Sequence, residues 1–287
     1  HGLTFDEAVI DKERGIVLEE LRLGKGAGDR IGKQLYPKIY NGSRYAERLP
    51  IGKEEVLRSF KPDTLRRYYR DWYRPDLMAV VAVGDIDPTV IEKLVKAHFG
   101  KLTNPTPSRP RVYAEIPRRE QTEAVVVTDK EAGGNSILVR YPVQPVREPN
   151  TVRGYREQLV EGLFGGMLGA RLQELSQLAE PPLLRGGSAL GHLTPFYKSF
   201  NASAVIGPGG ATRAIEALVR ENERARRYGF GQAELDRAKK NMLRSYERIY
   251  NEREKTDSGA YVGEYMRNFL QHEPIPGIAA EYGYATR

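Results

Sequence analysis

The sequence predicts an α+β fold, and three observations support this prediction. Residues 4–28 have the pattern of one strong amphipathic helix. The continuous apolar run 77–83 is typical of a strand buried on both faces, and a helical pattern follows it. Strand patterns recur from residue 123 onward, and a long helical pattern begins at Asn150 or Thr151. Strands and helices are therefore expected in both parts of the chain.

The first helix is predicted to begin at a capping box formed by Thr4 and Glu7, and Gly24 is the first of the glycines that end its pattern. At about 100° per residue, its apolar residues form one face with two flanks. The flanks are Phe5, Val9, Ile16 and Leu23 on one side, and Ile10, Val17 and Leu21 on the other. Glu13 and Glu20 fall between the flanks, roughly 10 Å apart along the helix at 1.5 Å per residue. Both are therefore predicted to lie on a buried stripe.

A carboxylate on a buried stripe is costly unless a positive or hydrogen-bonding group meets it. Two interpretations follow for Glu13 and Glu20. Both could pair with arginines as structural ion pairs, which are common. Alternatively, one is a metal ligand and the other supports the metal site. The residues alone leave this choice open.

The rest of the first part is predicted to be mainly helical, with one strand. Its elements are helices over about 30–40, 54–60, 62–73 and 88–99, and the strand over 77–83. Pro62 and Pro88 stand at first helical positions, where proline is favoured. Prolines between residues 101 and 121 predict a semi-rigid linker, with a domain boundary near residue 110.

The second part is predicted to alternate between strands and long helices. Its strands are expected near 123–128, 136–141, 186–193 and 197–206, and its helices near 151–178, 211–228, 232–271 with a break around 257–259, and from 279 onward. The run Gly165–Gly169 follows no strand and lacks the lysine of a phosphate loop. Close packing of its helix on the sheet is the predicted reason for these glycines.

Composition limits the classes of function. The chain has 287 residues, a formal net charge of +7 and no cysteine, which excludes disulfides and thiolate metal sites. Basic and acidic residues are interspersed, which favours a solvated surface over a nucleic-acid interface. No run of 18 apolar residues is present, so no membrane span is predicted. None of the four histidines, His98, His192 and His272 among them, has a partner at metal-ligand spacing.

The segment from Glu13 to Glu20, ERGIVLEE, resembles the downstream helix of the M16 (pitrilysin/insulinase) metallopeptidases. In that family an H-x-x-E-H motif supplies two histidine ligands and a catalytic glutamate, and a distant glutamate supplies the third ligand. The resemblance implies that Glu20 is this third zinc ligand and that Glu13 is a supporting residue of the zinc site. Residues 42–52, GSRYAERLPIG, resemble the PqqL-like branch, and residues 73–87 resemble the first M16 domain.

The resemblance implies two M16-type domains, each a mainly antiparallel sheet with helices packed on one face. Residues 1–110 would be the C-terminal part of the first, zinc-site domain, which is incomplete at its N-terminus. Residues 111–287 would be the second domain, of the M16 C-terminal type. The sequence contains no H-x-x-E-H. Both histidine ligands and the general base are therefore expected before His1, no catalytic residue is expected in this chain, and the chain alone is expected to be inactive.

The implied parent protein is a zinc-dependent metalloendopeptidase that hydrolyses peptides or small unfolded proteins in a closed chamber. Its cofactor would be Zn2+, and its partners would be the substrate and the remaining M16 domains of the same protein. Nucleic acid is not expected as a partner, homo-oligomer formation is left open, and a bacterial periplasmic location is implied. Two alternatives are a non-catalytic M16-type scaffold subunit and a basic nucleic-acid-binding module.

Overall fold

The computed structural model describes residues 3–146 and 151–287 and confirms the α+β fold class. The chain divides into two compact units, His1–Ala132 and Gly133–Arg287. The predicted M16 domain boundary near residue 110 lies earlier in the chain than this division, so residues 111–132 belong to the first compact unit. The assignment of M16 domains to 1–110 and 111–287 stays a prediction.

Among its described residues, the first unit contains five α-helices and no strand, so the sheet expected for the first M16-type domain is not found there. The helices are α1 (Glu7–Leu23), α2 (Ala27–Ile39), α3 (Glu54–Ser59), α4 (Pro62–Trp72) and α5 (Pro88–Phe99). Each predicted helix of the first part is present, and Pro62 and Pro88 begin their helices as expected. None of the helices in the described parts of the chain has the length and apolarity needed to cross a membrane.

The predicted N-cap of α1 and two predicted strands are wrong. The N-cap of α1 is Asp6 rather than Thr4, because the Asp6 carboxylate accepts hydrogen bonds from the backbone N–H groups of Ala8 (2.9 Å) and Val9 (3.1 Å). Residues 77–83 and 123–128 are not strands. Apolar β-branched runs favour an extended chain, but a strand also needs a neighbouring strand for its backbone ladder, and neither segment forms such a ladder with any described residue.

The second unit combines a four-stranded antiparallel sheet with five helices. The strands are β1 (Ser136–Arg140), β2 (Gln144–Pro145), β3 (Leu183–Thr194) and β4 (Tyr197–Ile206). The helices are α6 (Val152–Ser176), α7 (Gly210–Tyr228), α8 (Gln232–Asn251), α9 (Ser258–Gln271) and α10 (Ile278–Ala285). Strand β4 is central, with β3 on one side and both β1 and β2 on the other. The predicted elements from residue 136 onward are thus confirmed.

Helix α6 begins as the sequence predicts, but its glycines have mixed roles. The Thr151 hydroxyl accepts a hydrogen bond from the Gly154 N–H (3.0 Å), whereas the alternative cap Asn150 lies outside the described residues. A Cβ at Gly165 would lie 3.5 Å from the Ala189 Cβ on β3. Close packing on the sheet is therefore confirmed at Gly165. A Cβ at Gly166 or Gly169 would meet open space, so the packing explanation is wrong there.

The core of the second unit lies between the sheet and two helices. Leu172 of α6 and Leu218 of α7 pack with Leu183, Ala202 and Ala204 of the sheet, and all five are buried. Ala202 and Ala204 are two residues apart on β4, so they point to the same face. Helices α6 and α7 therefore cover one face of the antiparallel sheet, as predicted for this part.

Arg171 connects α6 to the turn between α7 and α8. Its guanidinium donates to both carboxylate oxygens of Glu234 (2.6 and 2.8 Å) and to the Gly229 carbonyl (3.0 Å). It also lies 4.5 Å from the centre of the Phe230 ring. Glu234 in turn accepts from the Gly231 N–H (2.7 Å). The Arg171 hydrogen bonds, followed by that of Gly231, lower the pKa of Glu234 to about 2.

Truncation of a core leucine on β3 tests this packing. Leu183 is fully buried, whereas its neighbour Leu184 exposes 56% of its surface. Leu183→Ala is expected to lower the free energy of unfolding by about 2–5 kcal/mol, because it leaves a cavity. Leu184→Ala is expected to change it by about 0.5 kcal/mol or less. Urea denaturation followed by circular dichroism measures both, and equal losses would contradict the assigned core.

The low pKa of Glu234 predicts a pH-dependent contribution to stability. A carboxyl group with a lowered folded-state pKa stabilises the fold above its ordinary value of 4.5, and the contribution disappears as the pH falls towards 2. The stability difference between wild type and Glu234→Gln should therefore be larger at pH 6 than at pH 2.5. Glu247→Gln, an exposed position on the same helix α8, is the control. Urea midpoints across this pH range measure the difference, and a pH-independent difference would refute the assignment.

Candidate metal centre

The two apolar flanks of helix α1 have different surroundings in the structure. The flank formed by Ile10, Val17 and Leu21 is buried or half-buried. On the other flank, Val9 and Ile16 each expose 54% of their surface and Leu23 exposes 70%. Phe5, at the N-terminal end of that second flank, is half-buried. Helix α1 therefore packs on the first unit mainly through one flank, and the second flank is open from Val9 to Leu23.

Glu13 and Glu20 lie between the packed and the open flank, and both are exposed. The prediction that they occupy a buried stripe is therefore wrong for this chain. A helical wheel identifies which residues share a face, but the surface that covers the face determines burial. Neither carboxylate forms a hydrogen bond or an ion pair with any residue that the structure describes. The first of the two interpretations, pairing with arginines, is thus not found among these residues.

The other carboxylates of α1 behave differently, because each has an arginine partner. Glu19 accepts two hydrogen bonds from Arg22 (2.6 and 2.8 Å), and these lower the pKa of Glu19. Asp11 lies 3.1 Å from a guanidinium nitrogen of Arg14. Glu7 is paired in the same way with an arginine of α4. The two residues singled out by the sequence are thus the unpaired carboxylates of this helix.

Arg14 is a structural residue of the site that the sequence analysis did not identify. Its guanidinium donates to the backbone carbonyls of Leu57 and Phe60 (3.0 Å for Phe60) and lies 4.1 Å from the centre of the Phe60 ring. The side chain is only 15% exposed. A signal was present in the sequence, because on the wheel Arg14 lies next to Leu21, at the edge of the packed flank.

The two ends of α1 are also attached to neighbouring helices. At the N-terminal end, the Phe5 ring lies 5.1 Å from the Tyr69 ring, and Arg66 donates to the Phe5 carbonyl (2.9 Å). Beyond the C-terminal end, the Lys25 ammonium donates to Glu54 in the first turn of α3 (2.7 Å). Hydrogen bonds from Lys25, and then from Arg58, lower the pKa of Glu54 to about 2.

The donor atoms of α1 fit part of a zinc site and not all of one. A carboxylate oxygen is an established zinc ligand, but a protein site needs three or four ligands. Among the described residues, no group of three or more His, Asp or Glu side chains could hold a metal ion. His98 lies in the last turn of α5, His192 on β3 and His272 at the end of α9. Helix α1 can therefore contribute a ligand to a centre that other residues complete.

Comparison with known proteins gives a family match. The family model described as the inactive domain of peptidase M16 matches residues 59–242. The match begins in the last residue of α3 and ends within α8, so it includes parts of both compact units. Helix α1, with Glu13 and Glu20, precedes the matched range.

Individual relatives match almost the whole chain. A zinc protease PQQL-like protein of Arabidopsis thaliana is 34% identical over 274 residues, which are 95% of this chain and 26% of the relative. The probable zinc protease PqqL of Escherichia coli strain K12 is 27% identical over 288 residues, 100% of this chain and 31% of the relative. The crystal structure of the periplasmic protease PqqL from Escherichia coli matches with a TM-score of 0.90 at 25% identity, over 99% of this chain and 31% of that chain. The chain thus spans between a quarter and a third of these relatives.

Proposed function

We propose that this chain, which belongs to the M16 peptidase family, forms part of a zinc-dependent metalloendopeptidase. Relatives that match nearly its whole length are named zinc proteases. In this proposal Glu20 is a zinc ligand and Glu13 supports the site. The two histidine ligands and the general base come from the remainder of a longer protein, together with further M16 domains.

The observation that carries the proposal is the state of the two glutamates on α1. Both are exposed and unpaired among the described residues, while Glu7, Asp11 and Glu19 are all bound to arginines. Seven residues are nearly two helical turns, so Glu13 and Glu20 project from the same side of the helix. A pair of available carboxylates beside an open apolar flank supports a role in a centre completed by another part of the protein.

The residues of this chain would have distinct roles in that centre. Glu20 would bind the metal through a carboxylate oxygen. Glu13 would accept hydrogen bonds from neighbouring ligands and hold their orientation, as outer groups do at metal sites. Once another part of the full-length protein covers the open flank of α1, this apolar surface would exclude water from the two carboxylates. Bound Zn2+ would supply Lewis-acid polarisation of the scissile carbonyl.

The proposed substrates are peptides or small unfolded proteins, cleaved inside a closed chamber to which the second part of the chain contributes a wall. The related PqqL protein of Escherichia coli is described as a periplasmic protease. We extend that location to the present protein as part of the proposal.

One observation favours a second candidate function, a non-catalytic M16 scaffold subunit. The family model that matches residues 59–242 describes an inactive domain. A scaffold subunit would have no zinc in the full-length protein, whereas the proposed peptidase would have one zinc ion per active site. The zinc content of the full-length protein therefore distinguishes the two functions.

Substitution of Glu20 in the full-length protein tests the proposal. Glu20→Gln removes the charged ligand and is expected to abolish stoichiometric zinc binding and peptide cleavage. Glu13→Gln should weaken zinc binding by about 10–100-fold, as loss of an outer hydrogen-bonding group does. Metal analysis by mass spectrometry and cleavage of an unstructured fluorogenic peptide are the measurements.

Glu19→Gln is the matched control, because Glu19 adjoins Glu20 but is bonded to Arg22 on another side of the helix. It should keep both zinc and activity. Full zinc content in Glu20→Gln would exclude Glu20 as a ligand. A full-length wild-type protein without zinc would favour the scaffold function.

A further inference from the structure

We infer that Arg14 is a positioning residue for the metal site, because it fixes the rotation of α1 and thereby the direction in which Glu20 points. This inference rests on the proposed function of Glu20. Arg14 itself faces the packed side of the helix, away from both glutamates, and would act on the metal through the helix backbone.

The contacts of Arg14 attach the middle of α1 to the end of α3. The carbonyls of Leu57 and Phe60 accept its hydrogen bonds, and both belong to the C-terminal end of α3, where carbonyls lack partners within the helix. A cation at this end also interacts favourably with the helix dipole. The Phe60 ring beneath the guanidinium adds a cation–π contact at 4.1 Å.

The partners of Arg14 are themselves held in place. Phe60 and Lys61 have extended backbones, with ψ values of 141° and 150°. Pro62 begins α4, and a residue that precedes proline is restricted to this extended region. The two carbonyls and the ring are therefore presented to Arg14 by a defined corner between α3 and α4. Asp11, one turn before Arg14, approaches the guanidinium at 3.1 Å.

Because the residues of a helix have fixed angular positions around its axis, the attachment of Arg14 also fixes the direction in which Glu20 points. At about 100° per residue, Glu20 lies about 120° around the axis from Arg14 and roughly 9 Å along it. A rotation by one residue position would place Glu20 where Leu21 now packs. The arginine and lysine that attach the two ends of α1 are more exposed than Arg14: Arg66 is 39% and Lys25 is 46% exposed, whereas the Arg14 side chain is 15% exposed. Arg14 is therefore the more buried polar attachment, and it resists this rotation at the centre of the helix.

Arginine is suited to this role in a way that lysine is not. The planar guanidinium carries several donors in a fixed arrangement and can stack on a ring at the same time. A lysine ammonium would reach one carbonyl as a point charge. Arg14→Lys should therefore preserve the charge but only part of the positioning effect, and Arg14→Met should lose both.

The test uses the full-length protein and four variants. Arg14→Met and Arg14→Lys change the proposed residue, and Arg22→Met changes an exposed arginine of the same helix that is bonded to Glu19. Ile10→Ala weakens the packed flank without changing the arginine contacts. Zinc affinity is measured by chelator competition, kcat and KM by peptide cleavage, and stability by urea denaturation.

Arg14→Met is expected to weaken zinc binding by about 10–100-fold, as the loss of groups that orient ligands does, and to lower kcat with little effect on KM. Arg14→Lys should lie between Arg14→Met and wild type, and Arg22→Met should match wild type. Ile10→Ala should lower stability and leave zinc affinity within about threefold, since the loss of one buried side chain does not release the polar attachment.

Two results would overturn the inference while leaving the proposed function intact. In one, Glu20→Gln loses zinc but Arg14→Met binds it as tightly as wild type. In the other, Ile10→Ala loses as much zinc affinity as Arg14→Met, so that general loosening of α1 explains both. Full zinc binding by Glu20→Gln would instead refute the proposed function, and the inference with it.

Discussion

In each compact unit, a largely buried arginine joins two helices by binding backbone carbonyl oxygen and an aromatic ring at the end of a helix. In the first unit Arg14 contacts the end of α3 and the Phe60 ring, and in the second Arg171 contacts the end of α7 and the Phe230 ring. Both arrangements satisfy carbonyls that a helix leaves without partners. A guanidinium can do this while it keeps an acidic partner, which for Arg171 is Glu234. The two arginines connect helices that are distant in sequence.

The elements that local sequence determines were predicted well. Pro62, Pro88 and Thr151 mark the starts of helices through backbone restriction or a side-chain cap, and the structure confirms all three. The strands near 136–141 and 197–206 were also predicted correctly, and each finds its partner within the second unit. The segments 77–83 and 123–128 carry equally good strand patterns, but the pairing of a strand is a property of its neighbours.

At the candidate site, too, local sequence predicts some features, whereas contacts between distant residues determine the others. The wheel placed Glu13 and Glu20 correctly between two flanks, because helical periodicity depends only on spacing. A helical wheel does not show which flank the rest of the protein covers. It also does not show that Arg14 donates hydrogen bonds to Leu57 and Phe60 at the end of α3, because these residues are distant from Arg14 in sequence. The relatives that match nearly the whole chain are named zinc proteases, whereas the family model covers residues after α1 rather than α1 itself.

The glycines of α6 have a consequence for how the second unit forms. Gly162, Gly165, Gly166 and Gly169 lie within one helix, and each lowers intrinsic helix stability by up to about 1 kcal/mol relative to alanine. The isolated α6 segment is therefore a poor helix, and contacts with β3 and α7 must supply its stability. Helix α6 and the sheet should therefore fold together in one cooperative step. The slowest-exchanging amides of α6 would then open only when the entire unit opens.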